Sequence, residues 1–216
     1  MVHQADDARA LEGRLSAFAT RIERFRAFSD PEDDARARAA LQDRLDAVRS
    51  LASPAAHRAL TEQVQGALEA ANALSLAGPV QAYVFYFGTA HGEAYLAGYG
   101  PVRPQTLAAP GVGLPLVDRL NNCVFEEVGP ITIPGLLEAR DEMPSEVGDT
   151  FEELDLSGEE DELSSLFALQ SFCMLQEAFR EAYHPRRLSA HDRLSPCLFY
   201  AQEHDGGLSA LLLVEA

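Results

Sequence analysis

The sequence predicts an α+β fold: an N-terminal antiparallel three-helix bundle packed on a mostly antiparallel sheet, with a long C-terminal helix. Three observations predict it. Apolar residues follow a helical period up to residue 77, the period changes to about two from Val80 onward, and a helix-start signal stands at Ser157. We therefore expect a helical bundle over 1–78 and an α+β domain over 79–216, which contains an acidic segment at 138–162.

Three successive stretches at the N-terminus carry apolar residues at alternating steps of three and four residues, the spacing of a heptad seam. The seam residues are Leu11, Leu15, Phe18, Ile22 and Phe25, then Leu41, Leu45, Val48 and Ala52, then Leu60, Val64, Ala67, Ala71 and Leu74. Asp30–Pro31 and Ser53–Pro54 each place a capping side chain before a proline suited to a first helical turn, and Gly78–Pro79 ends the third helix. Short connections make neighbouring helices antiparallel. Arginines flank the seams, and we expect them to pair with acids between helices: Arg14, Arg21, Arg26, Arg44 and Arg49.

Two β-hairpins are predicted beyond the helices. Val80–Phe87 and Ala94–Tyr99 form the first, and Cys197–Gln202 and Leu208–Val214 form the second around an Asp205–Gly206 turn. Between the hairpins the pattern predicts, in order, a loop over 100–115, a helix over Leu116–Glu127 and a short strand over Ile131–Ile133.

The negative charge is concentrated in one segment. Residues 126–162 hold fourteen carboxylates and one arginine, which supplies −13 of the net charge of −17. A capping box at Ser157-Gly-Glu-Glu160 opens a helix to about Tyr183, so four acids lie in a first turn, where the helix dipole favours them. Eight acids have no such explanation: Glu138, Asp141, Glu142, Glu146, Asp149, Glu152, Glu153 and Asp155. Their segment has little periodicity and is either a solvated face or flexible loop, or a surface for a cationic partner.

Composition excludes several function classes. All seventeen basic residues are arginine, so a Schiff-base lysine or a P-loop lysine is impossible. Three widely spaced cysteines without a C-x-x-C pair favour a reduced, cytoplasmic protein. An acidic chain without a long apolar run predicts neither direct nucleic-acid binding nor membrane association. An EF-hand aligned on Gly158 fails because Ser164 stands where a bidentate glutamate is required.

Catalytic and metal-binding patterns are weak, and we assign no catalytic residue, metal ligand or cofactor. His91 and His204 each stand in a predicted hairpin turn and could converge with Glu93 or Asp205 on a metal. Cys123 has a possible base in His204, but it stands within a predicted helix and not at a helix N-terminus. His191–Asp192 is a second His-Asp doublet, without the additional ligands that metal phosphohydrolases use.

We therefore expect a non-enzymatic, cytoplasmic protein-binding protein whose eight unexplained acids engage a basic protein. An immunity protein, an antitoxin or a mimic of nucleic-acid charge would have this character. One alternative is a small metal-dependent or cysteine-type hydrolase centred on the hairpin-turn histidines. The other is a structural subunit that forms a homodimer through the N-terminal helices.

Overall fold

The computed structural model describes residues 3–88, 92–101, 123–141, 145–203 and 209–215. Its helices are α1 His3–Arg24, α2 Pro31–Ser50, α3 Pro54–Asn72, α4 Leu136–Asp141, α5 Ser145–Glu153 and α6 Ser157–Ala182, followed by a 3₁₀ turn at Pro185–Leu188. Its strands are β1 Val80–Gly88, β2 Glu93–Tyr99, β3 Cys123–Thr132, β4 Arg193–Glu203 and β5 Ser209–Glu215. None of the helices in the described ranges is long and apolar enough to cross a membrane.

The five strands form one mixed sheet in the order β3-β2-β1-β4-β5. β1 pairs with β4 in parallel, whereas the β1–β2, β2–β3 and β4–β5 pairs are antiparallel. The predicted α+β class, the mostly antiparallel sheet and the long C-terminal helix are confirmed. Both predicted hairpins are present as antiparallel pairs, although the predicted turn at Asp205–Gly206 lies outside the described residues.

The chain divides into two compact units. The first contains residues 1–53 and 135–173, and the second contains residues 54–134 and 174–216. Helices α1 and α2 belong to the first unit, whereas α3 groups with the sheet in the second. A domain boundary at residue 78 remains a prediction from the sequence.

The core of the first unit uses the predicted seams of α1 and α2. Leu11, Leu15, Phe18 and Ile22 of α1 are buried, as are Leu41, Leu45 and Val48 of α2. Phe25 and Ala52 lie just beyond the ends of their helices. Each large apolar side chain that is fully buried contributes about 1.5–3 kcal/mol relative to exposure. The seams therefore provide much of the stability of this unit.

The turn between α1 and α2 is held by a buried carboxylate. Asp34 is 5% exposed, and its Oδ1 accepts hydrogen bonds from the backbone N–H of Ala27 and Phe28 at 2.9 and 3.1 Å. Asp30 caps α2 by accepting from the N–H of Glu32 at 2.8 Å, as the Asp30–Pro31 pair predicted. Arg44 donates to the carbonyl of Ala139 at 2.5 Å.

In the second unit, one face of the sheet is packed with aromatic rings. The residues at odd positions of β1 lie on this face, and Phe85 meets Phe179 of α6 at a ring distance of 5.5 Å. Tyr83 stacks on Phe199 of β4 at 4.9 Å. Residues at even positions of β1 lie on the opposite face, which holds a second buried cluster around Val84. The middle of the sheet, in β1, β2 and β4, is thus buried on both faces, whereas most of β3 is exposed.

One prediction for the segment between the hairpins is wrong, and another is confirmed in part. The helix predicted over Leu116–Glu127 cannot extend to its end, because Cys123–Thr132 is strand β3, paired with β2. Gly98 is opposite Phe125 in that pairing, and a Cβ at Gly98 would lie 2.1 Å from Cε1 of the Phe125 ring. A ring laid over a glycine is a tertiary contact, and local pattern does not reveal it. The strand predicted at Ile131–Ile133 is present at residues 131–132, where it forms the end of β3.

The acidic segment also has more regular structure than its sequence suggested. Helices α4 and α5 occupy most of residues 136–153, where little periodicity was visible. Helix α6 begins at Ser157 as predicted, but the Ser157 hydroxyl donates to Asp155 at 3.1 Å, while the N–H of Glu160 bonds to the carbonyl of Leu156. The helices therefore hold most of these acids on regular backbone, whereas Asp155 lies between two helices and Glu142 lies outside the described residues.

Candidate functional site

The eight acids predicted to bind a partner lie on α4, α5 and the connection to α6. The structure describes the side chains of five of them, and all five are exposed: Glu138, Asp149, Glu152, Glu153 and Asp155. We call these five the acidic surface. The backbones of Asp141 and Glu146 lie in α4 and α5, but their side chains are outside the description, and Glu142 is outside the described residues altogether.

Helix α5 is amphipathic and carries three of the five acids. Val147 and Phe151 are 8% and 6% exposed and face inward with Thr150, at the i, i+3, i+4 spacing of one helix face. Asp149, Glu152 and Glu153 have the same spacing on the exposed side. Residues at this spacing have Cβ atoms about 5–6 Å apart, so the three carboxylates repel one another.

One acid of this surface is already paired within the protein. Arg36 of α2 forms a salt bridge to Glu153 at 2.5 Å and a longer one to Asp33 at 3.4 Å. The hydrogen bond to Glu153 raises the pKa of Arg36. Both side chains are about half exposed (47% and 59%), so water and salt screen the pair. Arg21 pairs in the same way with Glu162 on α6, as predicted for the arginines beside the seams, whereas Arg49 pairs with Asp46 of its own helix.

The other acids of the surface differ in role. Glu138, Asp149, Glu152 and Asp155 have no ion pair among the described residues, and they carry the unneutralised charge of the surface. Asp155 has a positive φ of 50° and stands between α5 and α6. Aspartate is one of the few non-glycine residues that occupy this region readily, so Asp155 has a structural role besides its charge.

The candidate metal-binding groups of the hairpin turns are described only in part. His91, His204 and Asp205 lie outside the described residues. Glu93, the other candidate ligand, accepts a hydrogen bond from the hydroxyl of Tyr95 at 2.7 Å. Within the described ranges, no group of three His, Cys, Asp or Glu side chains could hold a metal ion.

Cys123 is placed differently from the prediction and is poorly suited to nucleophilic attack. It stands at the start of strand β3 and not within a helix, and its thiol contacts the carbonyl of Phe125 at 3.2 Å. Partial burial of the sulfur, followed by its hydrogen bond to Glu126, raises the pKa of Cys123 to about 11. The thiol is therefore protonated at neutral pH, whereas nucleophilic cysteines carry a lowered pKa.

His191, from the second His-Asp doublet, is a buried structural residue. Its Nε2 lies 2.8 Å from the carbonyl of Ala71 at the end of α3, and its Nδ1 lies 2.8 Å from the hydroxyl of Tyr83. A carbonyl can only accept, so Nε2 carries the hydrogen and Nδ1 accepts from Tyr83. Burial lowers the pKa of His191, which keeps the ring neutral. Both nitrogens are used, so neither is free to bind a metal.

The sequence did not indicate which polar groups meet inside the second unit. The hydroxyls of Tyr86 and Tyr99 are 2.9 Å apart on the sheet face opposite Tyr83, and Gln202 is buried next to them in β4. Alternation in β1 shows that Tyr83 and Tyr86 point to opposite faces, but the neighbouring strands cannot be identified from it.

No protein family, no curated protein and no solved structure matches the chain.

Proposed function

We propose that this chain is a non-enzymatic binding protein that engages a basic protein through its acidic surface. The observation that carries the proposal is the exposed side of α5, where Asp149, Glu152 and Glu153 form one row of carboxylates on a helix anchored by Val147 and Phe151. An inhibitor of a cationic nuclease, of the immunity or antitoxin kind, or a mimic of nucleic-acid charge would present such a row.

Charge in the surrounding unit supports this proposal. The first unit contains 22 carboxylates and 10 arginines, a net charge of −12, whereas the second has 12 carboxylates and 7 arginines, a net charge of −5. Potential of one sign over one unit attracts an oppositely charged partner and raises its association rate at low ionic strength. The first unit is therefore the part of the chain that a basic partner would meet first.

Repulsion among the carboxylates of the acidic surface also favours a basic partner. The three carboxylates of α5 lie within the Debye length of about 8 Å at physiological salt, so each disfavours the others. Arg36 relieves this repulsion for Glu153 alone. Guanidinium or ammonium groups of a partner would relieve it for Asp149 and Glu152, and they could replace the exposed Arg36 at Glu153.

The test compares two variants with equal charge change. D149N/E152Q/E153Q removes the row on α5, and E12Q/E23Q/D43N removes three exposed acids elsewhere in the same unit. With an oligo-arginine peptide as the probe, stopped-flow association at low salt should be slowed roughly tenfold by the first variant and much less by the second. The difference should shrink as salt is added. Equal slowing by both variants would mean that net charge alone attracts the peptide, and the proposed surface would be rejected.

A homodimer through the N-terminal helices is a separate proposal, and the packing restricts it. Leu15, Phe18 and Leu45 of the seams are at most 4% exposed in the single chain, so they are not available to a second copy. A dimer would have to use the outer faces of α1 and α2. Light scattering that gives the mass of one chain at micromolar concentration would reject it.

A further inference from the structure

One carboxylate of the acidic surface already holds a cation, and this cation comes from another helix. Arg36 of α2 donates from Nη2 to Glu153 of α5 at 2.5 Å, although the two residues are 117 positions apart in the sequence. Its Nη1 lies 3.4 Å from Asp33, one turn earlier in α2. The guanidinium group of Arg36 therefore lies between a carboxylate of its own helix and a carboxylate of the acidic surface.

The contact between Arg36 and Glu153 has one counterpart elsewhere in the first unit. Arg21 of α1 donates to Glu162 of α6, so an arginine of each of the first two helices reaches a glutamate on a helix that follows much later in the chain. Among the ion pairs of the described residues, only Arg36–Glu153 involves the acidic surface. A guanidinium group is thus the cation that this surface accepts from its own chain.

The Arg36–Glu153 pair can exchange partners because water reaches both side chains. Each of them is about half exposed. Water and salt screen an ion pair at this exposure, and holding two long side chains in one geometry costs conformational entropy. A guanidinium group of another protein would form the same bond to Glu153, and Arg36 would still have Asp33 as a partner.

Arg36 also weakens the negative potential of the carboxylates next to Glu153. Asp149 lies one turn before Glu153 on α5, and residues at this spacing have Cβ atoms about 5–6 Å apart. A positive charge bound at Glu153 is therefore close enough to act on Asp149 as well, since the Debye length at physiological salt is about 8 Å. While Arg36 stays in place, a basic partner meets a row in which one carboxylate is already neutralised.

We propose that Arg36 is an internal competitor for the acidic surface: its guanidinium group occupies Glu153 and is displaced by an arginine side chain of the basic partner. This inference rests on the proposed function, because it concerns the regulation of the same surface. The displaced group also defines the chemistry of the partner. An arginine offers a planar fork of donors that a carboxylate binds through two hydrogen bonds, whereas the ammonium group of lysine is a point charge.

Removal of Arg36 tests the competition. R36Q frees Glu153, so it should tighten the binding of a hexa-arginine peptide to the full chain about two- to fivefold, as expected for the loss of one exposed ion pair. R49Q is the matched control, because Arg49 lies on the same helix, is 42% exposed and pairs with Asp46. It changes the net charge equally and should alter the affinity much less. Fluorescence anisotropy at physiological salt measures both affinities, since salt screens the long-range attraction.

A double-mutant cycle connects the gain to Glu153. In the E153Q background, R36Q should change the affinity no more than R49Q does, because the carboxylate that Arg36 occupies is gone. In the D149N background, R36Q should still tighten binding, since Glu153 remains. A gain in the E153Q background as large as that in the natural sequence would show that Arg36 acts only through net charge, and the inference would be overturned.

The same titrations separate this inference from the proposed function. If the triple variant that removes the row on α5 weakens the hexa-arginine peptide while R36Q and R49Q have equal effects, the acidic surface binds the peptide and only the competition is overturned. If the triple variant and its control variant bind the peptide equally well, the proposed function fails and the inference fails with it. A hexa-lysine peptide should gain less from R36Q than hexa-arginine does, and an equal gain would overturn the assignment of a guanidinium group to the partner.

Discussion

The two units of this protein carry very different net charges, although both bury polar side chains, such as Asp34 in the first. The first unit has a net charge of −12, and the ion pairs that cross between its helices, Arg21–Glu162 and Arg36–Glu153, are exposed to water. The second unit has a net charge of only −5, and it holds polar side chains inside, among them His191 and Gln202. Exposed pairs are screened and contribute little to stability, whereas buried polar groups are costly to disturb. Substitutions of exposed charges in the first unit should therefore affect mainly binding, whereas substitutions of buried groups should affect mainly folding.

The largest effect on stability is expected from Gly98→Ala in the second unit. The added Cβ would lie 2.1–2.8 Å from three atoms of the Phe125 ring, and that ring in turn contacts Tyr83 and His191 at centroid distances of 6.1 and 5.9 Å. The ring cannot move without disturbing the aromatic layer, so we expect a loss of about 3 kcal/mol or more in the free energy of unfolding. Urea denaturation measures it.

Gly66→Ala is the control for that substitution. Gly66 lies within α3 of the same unit, and a Cβ there would meet nothing within 4 Å. Alanine in a helix interior is favoured over glycine by about 0.5–1 kcal/mol, so this variant should be slightly more stable than the natural sequence. Equal effects of the two substitutions would show that the Gly98–Phe125 packing does not stabilise the sheet.

The contact between Gly98 and Phe125 also shows which parts of the fold can be predicted from the sequence and which cannot. The seams of α1, α2 and α3, the cap at Asp30 and the alternation in β1 are local patterns, and each of these elements was predicted. The first residues of β3, from Cys123, fall within the predicted helix, because Val124 and Phe125 fit either structure. The contact that decides for a strand is with Gly98 in β2. The parallel pairing of β1 with β4 joins residues more than a hundred positions apart, so strand order was not predictable.

The same limit applies to the candidate sites. The acids of the first unit were recognised from charge alone, but helix α5 was missed because it has only nine residues and its two large buried anchors are Val147 and Phe151. The buried hydrogen bonds of His191 to Tyr83 and Ala71 were not predictable, since the three residues lie in separate parts of the chain. Charge is visible in a sequence, whereas a buried hydrogen bond requires both partners to be located.

The next largest effect is a pH dependence that His191 gives to the second unit. Its pKa is lowered in the folded state by burial, while the unfolded value is about 6.5. Unfolded chains therefore bind a proton before folded ones as the pH falls. The contribution of neutral His191 to the free energy of unfolding is fully present above about pH 6.5. As the pH falls further, this contribution is lost at up to about 1.4 kcal/mol per pH unit until the pKa of the folded state is reached.

His191→Gln tests this linkage. The variant should lose about 1–3 kcal/mol at neutral pH, because the Tyr83 hydroxyl and the Ala71 carbonyl lose their partner, and its stability should depend less on pH between 5 and 7. His57→Gln is the control, since His57 is partly exposed and pairs with Glu181 at the surface. Urea denaturation at several pH values gives both quantities, and an unchanged slope in the His191 variant would contradict the assignment.

The smallest effect on stability is expected in the first unit, at Asp155. Its φ of 50° lies in the left-handed region, where a Cβ is disfavoured by about 1–2 kcal/mol unless the side chain forms local hydrogen bonds, as Asp155 does with the Ser157 hydroxyl. Asp155→Ala should therefore cost about 1 kcal/mol in the free energy of unfolding, whereas Asp155→Gly should cost less, because glycine has no Cβ. Both variants remove the same charge, so they should slow the association of an oligo-arginine peptide equally. If the alanine variant alone slowed association, Asp155 would act by holding α5 in place and would not belong to the surface that the partner contacts.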